Sequence, residues 1–194
     1  MDTDMLLAAT EALCAALPHD PSATVVIGYG TRTEAARYAT TPGWTVHVPG
    51  HPDEVRQAVA DAVARGARAY IDVSGRCNSE PHSVGGFELV REGLQGVVLA
   101  VGATLDSVLR ATAGTDLAIL YAVTIRPFDE VALRTAVLAA HHADVVLVEP
   151  RMPGISASHI ARTLVHVPHR LLALGDEDAL DEEKITQAVR DFVR

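Results

Sequence analysis

Short apolar runs rich in valine, isoleucine and leucine alternate with amphipathic stretches along this chain. The apolar runs end at glycine, proline or polar residues, which is typical of buried parallel strands, and the stretches between them have helical spacing. Pro52 at the start and Gly66 after the end mark one helix clearly. This alternation predicts an α/β fold with a mostly parallel sheet covered by helices on both faces. The predicted strands are 23–30, 43–50, 67–74, 96–102, 117–123, 144–150 and 169–175, and the predicted helices are 4–17, 32–39, 51–66, 104–114, 128–143, 156–167 and 181–194.

One polar segment interrupts the alternation. Residues 74–86, SGRCNSEPHSVGG, are rich in glycine, serine and asparagine and contain a proline, which favours an irregular connection. The segment predicts a division into two α/β units, at residues 1–78 and 79–194.

Composition excludes several classes of function. The net charge of −9 and the pI of about 5.4 argue against a nucleic acid or an anionic membrane as the main partner. No apolar run reaches the roughly 20 residues of a membrane span, and the acidic N-terminus lacks the basic region of a signal peptide. Cys14 and Cys77 form neither a disulfide framework nor a metal-binding pattern. A cytoplasmic protein is expected.

Polar residues that follow strands are the candidate site residues, because ligands of parallel sheets bind at the carboxyl ends of the strands. Arg32 lies in GYGTRTE, residues 28–34, which either holds a phosphate on its backbone amides or is only a tight strand-to-helix turn. Arg76 follows the strand at 67–74. It either pairs with a phosphate or carboxylate, or is a solvated loop arginine.

A second group of candidates lies in the second unit. In TIRPFDE, residues 124–130, Pro127 at the first helical position and Asp129 in the first turn predict a helix start beside Arg126. Glu149 ends a strand and is either catalytic or bound to a neighbouring loop. The nine histidines show no metal-binding spacing, and no nucleophile motif occurs, so neither a metal site nor a catalytic residue is predicted.

The order of motifs resembles the C-terminal domain of the transketolase family. The resemblance rests on TIRPFD followed by VVLVEP within residues 91–175, which keep the order and spacing of that domain. Upstream, residues 42–76 resemble the end of the family's pyrimidine-binding domain. The resemblance covers about residues 41–194. It implies a transketolase C-terminal-like domain preceded by a truncated pyrimidine-domain-like unit.

The resemblance also implies a thiamine diphosphate and Mg²⁺ cofactor for the complete enzyme. That site needs a glutamate from an earlier part of the pyrimidine-binding domain and a Gly-Asp-Gly motif from another domain, and this chain contains neither. The chain alone is therefore expected to bind no cofactor, and a thiamine-binding partner subunit is expected to complete the site. The chain would supply a dimer interface and a cleft wall containing Arg126, Asp129 and Glu149. Arg76 matches the family arginine that contacts the sugar phosphate.

Two other hypotheses remain open at this point. The chain is either a non-catalytic binding or regulatory module that kept the fold, or a small enzyme that holds a phosphorylated metabolite between Arg32 and Arg76. The binding module would form a stable homodimer. The apolar helix face at 131–140 belongs either to the core or to an interface, since periodicity does not separate the two.

Overall fold

A computed structural model describes residues 3–16, 23–29, 32–150, 155–175 and 181–193. Its helices and strands alternate, as predicted. The first part of the chain forms α1 (Thr3–Ala16), β1 (Thr24–Tyr29), α2 (Arg32–Thr40), β2 (Trp44–His47), α3 (Pro52–Ala64) and β3 (Arg68–Val73). The second part forms β4 (Glu88–Arg91), β5 (Gly96–Val101), α4 (Leu105–Ala111), β6 (Leu117–Ala122), β7 (Thr124–Arg126), α5 (Glu130–Ala139), β8 (Asp144–Glu149), α6 (Ile155–Thr163), β9 (Arg170–Gly175) and α7 (Glu182–Phe192).

The first sheet has the strand order β1-β3-β2-β7. β1 and β2 pair in parallel with the central β3, and β7 is antiparallel to β2. Apolar side chains of α1 and α3 cover one face, where Met5, Val55 and Ile71 are completely buried. α2 covers the other face, and Tyr38 stacks on Tyr70 with 4.6 Å between ring centroids. Both faces are therefore covered, as the continuous apolar strands predict.

The second sheet has the order β4-β6-β5-β8-β9, and only the edge strand β4 is antiparallel. Every residue of β5, β6 and β8 is buried. Apolar residues of α4 and α7 cover one face, and those of α5 and α6 cover the other. The predicted α/β class, with mostly parallel strands between helices, is confirmed.

The two sheets share one apolar core. Tyr70 of the first sheet, Leu99 of the second and Leu133 of α5 belong to the same buried cluster. The chain also crosses between the sheets, because β6 ends in the second sheet and β7, two residues on, joins the first. Residues 74–87 contain no helix or strand, which matches the predicted irregular connection. The division at residues 78 and 79 stays a prediction.

The predicted start of α5 is wrong in detail. Pro127 is not the first residue of α5; it follows β7 through a cis peptide bond. Asp129 is the N-cap instead, and its Oδ1 accepts a hydrogen bond from the Ala132 amide at 2.9 Å. A turn of 3₁₀ helix at Gly102–Thr104 precedes α4, and the Thr104 side chain makes no capping hydrogen bond to that helix. Its hydroxyl donates to the carbonyls of Val101 and Val148.

Within the described ranges, no helix is both long and apolar enough to cross a membrane.

Candidate functional site

The carboxyl ends of strands from both sheets meet in a buried junction. Gly50 follows β2, Asn78 follows β3 and Gly102 follows β5. The Asn78 amide donates to the Gly50 carbonyl at 2.7 Å, and Asn78 Nδ2 donates to the Gly102 carbonyl at 3.1 Å. A Cβ atom at Gly50 would lie 2.3 Å from Asn78 Nδ2 and 2.7 Å from the Gly102 carbonyl carbon, so only glycine fits there. Protein atoms thus fill a crevice where α/β proteins commonly bind ligands.

Glu54 of α3 is the centre of this junction. Its carboxylate is completely buried and accepts three hydrogen bonds. The Gly50 amide and the Tyr121 hydroxyl donate to Oε2 at 2.6 and 2.9 Å, and the His82 amide donates to Oε1 at 2.9 Å. Burial raises the pKa of Glu54, and these hydrogen bonds oppose the rise. Because α3, the 74–87 segment and β6 all meet here, Glu54 acts as a structural tie between the sheets.

Glu54 is not among the residues predicted for a site, although its position in the sequence carries a signal. Glu54 is the third residue of α3, and its N-cap is His51, whose Nδ1 accepts from the Asp53 amide at 3.1 Å. A glutamate at this position often reaches back to a backbone amide before the helix, in a capping box. Glu54 reaches the Gly50 amide, one residue before the cap. The capping-box pattern can indicate a contact of this kind, but it does not show that the glutamate side chain is buried.

The exposed part of this edge contains Arg76. Its side chain lies at the surface, in the loop after β3. The loop is fixed by Ser74, whose Oγ accepts from the Arg76 amide at 3.1 Å and donates to the Arg76 carbonyl at 2.7 Å. β1 ends beside β3, with Tyr29 paired to Val73. α2, which begins at Arg32, follows β1, so the backbone brings both predicted phosphate contacts to the same sheet edge. The Arg32 side chain lies outside the described residues.

Arg126 is a buried side chain, held by backbone carbonyls. Its Nε donates to the carbonyl of Ala39 at 3.2 Å, near the end of α2, and a second nitrogen donates to the carbonyl of Ile155 at 3.3 Å, at the start of α6. The third guanidinium nitrogen donates to the backbone carbonyl of Ile125, the preceding residue. Burial lowers the pKa of Arg126, and the charge of Glu149 opposes this effect. Arg126 therefore fixes α2 and α6 relative to β7.

Glu149 lies at the end of β8 and is almost completely buried. Its two oxygens accept hydrogen bonds from the Ser156 hydroxyl, at 2.5 Å, and from the Ser156 amide, at 3.3 Å. Burial raises the pKa of Glu149 to about 7, although these bonds and the charge of Arg126 favour the carboxylate. A carboxylate at the start of α6 also suits the helix dipole. The sequence left two roles open for Glu149, a catalytic role and binding to a neighbouring loop. The contact with Ser156 corresponds to the second role.

The Asp129 carboxylate accepts hydrogen bonds from two backbone amides. While Oδ1 caps α5, Oδ2 accepts from the Phe87 amide at 3.0 Å. Asp129 thereby fixes the end of the 74–87 segment against α5. The three residues predicted for a cleft wall thus bind backbone groups of α2, α5, α6 and this segment.

In the part of the chain that the structure describes, no three His, Cys, Asp or Glu side chains are grouped as metal ligands would be. The two almost fully buried glutamates, Glu54 and Glu149, both bind protein groups already.

Comparison with solved structures decides the fold. A split-gene transketolase, solved as an inactive beta4 tetramer, superposes with a TM-score of 0.72 over 95% of this chain and 73% of its own, at 16% sequence identity. The fold is transketolase-like. This likeness covers both sheets, and at such identity it shows the fold alone.

Sequence comparisons give less information about this chain than the structural comparison does. No protein-family model matches the sequence. An uncharacterized 33.6 kDa protein from the fasciation locus of Rhodococcoides fascians is 49% identical over 136 residues, or 69% of this chain. The matched region is 44% of that protein, so this chain spans less than half the length of its relative.

Proposed function

We propose that this chain is one part, a subunit or a piece, of a thiamine diphosphate-dependent, transketolase-like enzyme whose cofactor site is completed by another chain. One observation carries the proposal: the likeness to a split-gene transketolase extends over 95% of the chain. That protein's name describes a transketolase divided between genes. A transketolase-like fold whose sequence contains no Gly-Asp-Gly motif fits such a division.

The chain's own role is to form a subunit interface and a wall of the active-site cleft. Arg126, Asp129 and Glu149 are positioning residues in this proposal. Arg126 binds the end of α2 and the start of α6, and Glu149 also binds the start of α6. Asp129 binds the start of α5 to the end of the 74–87 segment. Any cofactor chemistry belongs to the site completed with the other chain.

The proposed function is tested by recovering the other chain. Tagged protein, purified from its native extract, should bring down one polypeptide in fixed ratio, identified by mass spectrometry, that contains a Gly-Asp-Gly motif. A homo-oligomer that returns with no such chain would contradict the proposal. It would favour the alternative, a non-catalytic binding or regulatory module.

Arg76 is the residue that we propose to bind the phosphate of a sugar phosphate substrate. Replacing Arg76 with Ala in the complete complex should raise KM about 10- to 100-fold, because a hydrogen bond to a charged group contributes about 1.5–3 kcal/mol. The turnover number should change little. Steady-state kinetics with a phosphorylated ketose measure both constants.

The matched control is Arg65→Ala. Arg65 is also an exposed arginine, but it lies at the end of α3 and pairs with Asp61 at 2.9 Å. KM should stay unchanged in this variant. Equal KM values for Arg76→Ala and wild type would exclude the phosphate role.

A further inference from the structure

The end of β1 brings a tyrosine to the loop that contains Arg76. Tyr29 is the last residue of β1 and pairs with Val73, the last residue of β3, so both strands end at the same level. Because the two strands are parallel, the chain that leaves β3 passes beside the Tyr29 side chain. A Cβ atom at Gly75 would lie only 3.2 Å from the Tyr29 hydroxyl oxygen. The hydroxyl therefore lies against the residue that precedes Arg76.

The backbone of this loop is fixed on both sides of Arg76. The Ser74 hydroxyl accepts from the Arg76 amide and donates to the Arg76 carbonyl. Two residues after Arg76, Asn78 is buried in the junction, where its side chain donates to the Gly102 carbonyl. Groups that are held in place before binding lose less entropy when a ligand binds. The loop thus offers a preorganised backbone beside Tyr29.

Tyr29 combines exposure with a polar group at this edge of the sheet. Its side chain is 39% exposed, whereas Tyr70 and Tyr121 are buried, so part of Tyr29 is open to a ligand. A tyrosine hydroxyl and a guanidinium both donate hydrogen bonds, and phosphate oxygens accept them. Because ligands of parallel sheets bind at the carboxyl ends of the strands, Tyr29 and Arg76 form a pair of donors that fits a phosphate group.

We propose that Tyr29 is a second substrate-binding residue, whose hydroxyl donates a hydrogen bond to the phosphate group that Arg76 binds. The inference rests on the proposed function, because it concerns the same sugar phosphate. Tyr29 lies before residue 41, where the resemblance to the transketolase family begins, so that resemblance does not imply this role. Gly75 is part of the arrangement, since a side chain there would displace the hydroxyl.

The first test is steady-state kinetics of the complete complex with a phosphorylated ketose. Tyr29→Phe removes only the hydroxyl group and should raise KM about 10-fold, with little change in the turnover number, because one hydrogen bond to a charged group is lost. With the same ketose lacking its phosphate, wild type and variant should have equal KM values. Tyr38→Phe is the matched control, because Tyr38 lies near the other end of α2 and packs against Trp44.

A second pair of variants tests the contact between Tyr29 and Gly75. Gly75→Ala places a methyl group against the Tyr29 hydroxyl and should raise KM several-fold in the wild-type background. In the Tyr29→Phe background the hydroxyl is absent, so Gly75→Ala should have no further effect. Effects of the two substitutions that simply add would contradict the proposal.

The failure of this inference and that of the proposed function are distinguishable. If Arg76→Ala raises KM and Tyr29→Phe does not, the role of Tyr29 is overturned while the proposed function stands. If neither variant changes KM, both phosphate contacts are overturned. If no second chain is recovered, the proposed function fails, and Tyr29→Phe is compared with wild type by calorimetric titration of this chain alone with the phosphorylated ketose. The absence of any difference in that titration would overturn the role of Tyr29.

Discussion

Glu54→Ala should lower the free energy of unfolding by about 3–5 kcal/mol, the cost of breaking a buried charged network. The Gly50 and His82 amides and the Tyr121 hydroxyl would each lose their acceptor inside the protein. Because these groups belong to different parts of the chain, the sheets would also lose their tie. Urea denaturation followed by circular dichroism measures the change.

Asp53→Ala is the matched control for this prediction. Asp53 lies one residue earlier in the same helical turn, where it is exposed and pairs with Arg56 at 2.7 Å. A surface ion pair of this kind contributes about 0–1 kcal/mol. Glu54→Gln, which keeps one acceptor oxygen, should fall between the two. Equal losses for Glu54→Ala and Asp53→Ala would refute the structural role of Glu54.

His47 should make the protein sensitive to acid. It is a buried residue of β2, with Nδ1 2.9 Å from the Thr124 hydroxyl of β7, and burial lowers its pKa from 6.5 to about 4. The unfolded chain therefore takes up this proton at a higher pH than the folded protein does. The stability that neutral His47 contributes is complete above pH 6.5 and is lost as the pH falls to about 4. At about 1.4 kcal/mol per pH unit, the loss is about 3 kcal/mol.

The measurement is urea denaturation from pH 7 to pH 4, for the wild type and for His47→Gln. Glutamine can keep the hydrogen bond to Thr124 but takes up no proton, so its stability should fall less steeply than that of the wild type. His142→Gln, a change at an exposed histidine, should follow the wild-type curve. Parallel curves for wild type and His47→Gln would contradict the prediction.

The sequence predicts those parts of the fold that depend on local pattern. β5, β6 and β8 are continuous apolar runs, and α3 carries its signals of Pro52 and Gly66, so these elements lie where they were expected. β4 was missed because its four residues, ELVR, include two charged ones. β7 was missed because it has only three residues. What makes β7 a strand is its pairing with β2, far away in the sequence.

The candidate site shows the same limit. Arg76 was correctly expected after a strand, since that position follows from the order of elements. The partners of Arg126 lie at residues 39 and 155, and those of Glu54 at 50, 82 and 121. Only the contact of Glu54 with residue 50 follows a local spacing rule; no such rule connects the other positions, which lie far apart in the chain. Polar residues next to a proline or at a helix start have the same pattern whether they are buried or exposed.

The claim that another chain completes the cofactor site is tested most directly by calorimetric titration of Mg²⁺–thiamine diphosphate. The titration is made on this chain alone, on the co-purified second chain alone and on the two combined. We expect saturable binding in one-to-one ratio with the combined chains and much weaker binding, or none, with this chain alone. Tight binding by this chain alone, or no gain on combining the two, would contradict the proposal.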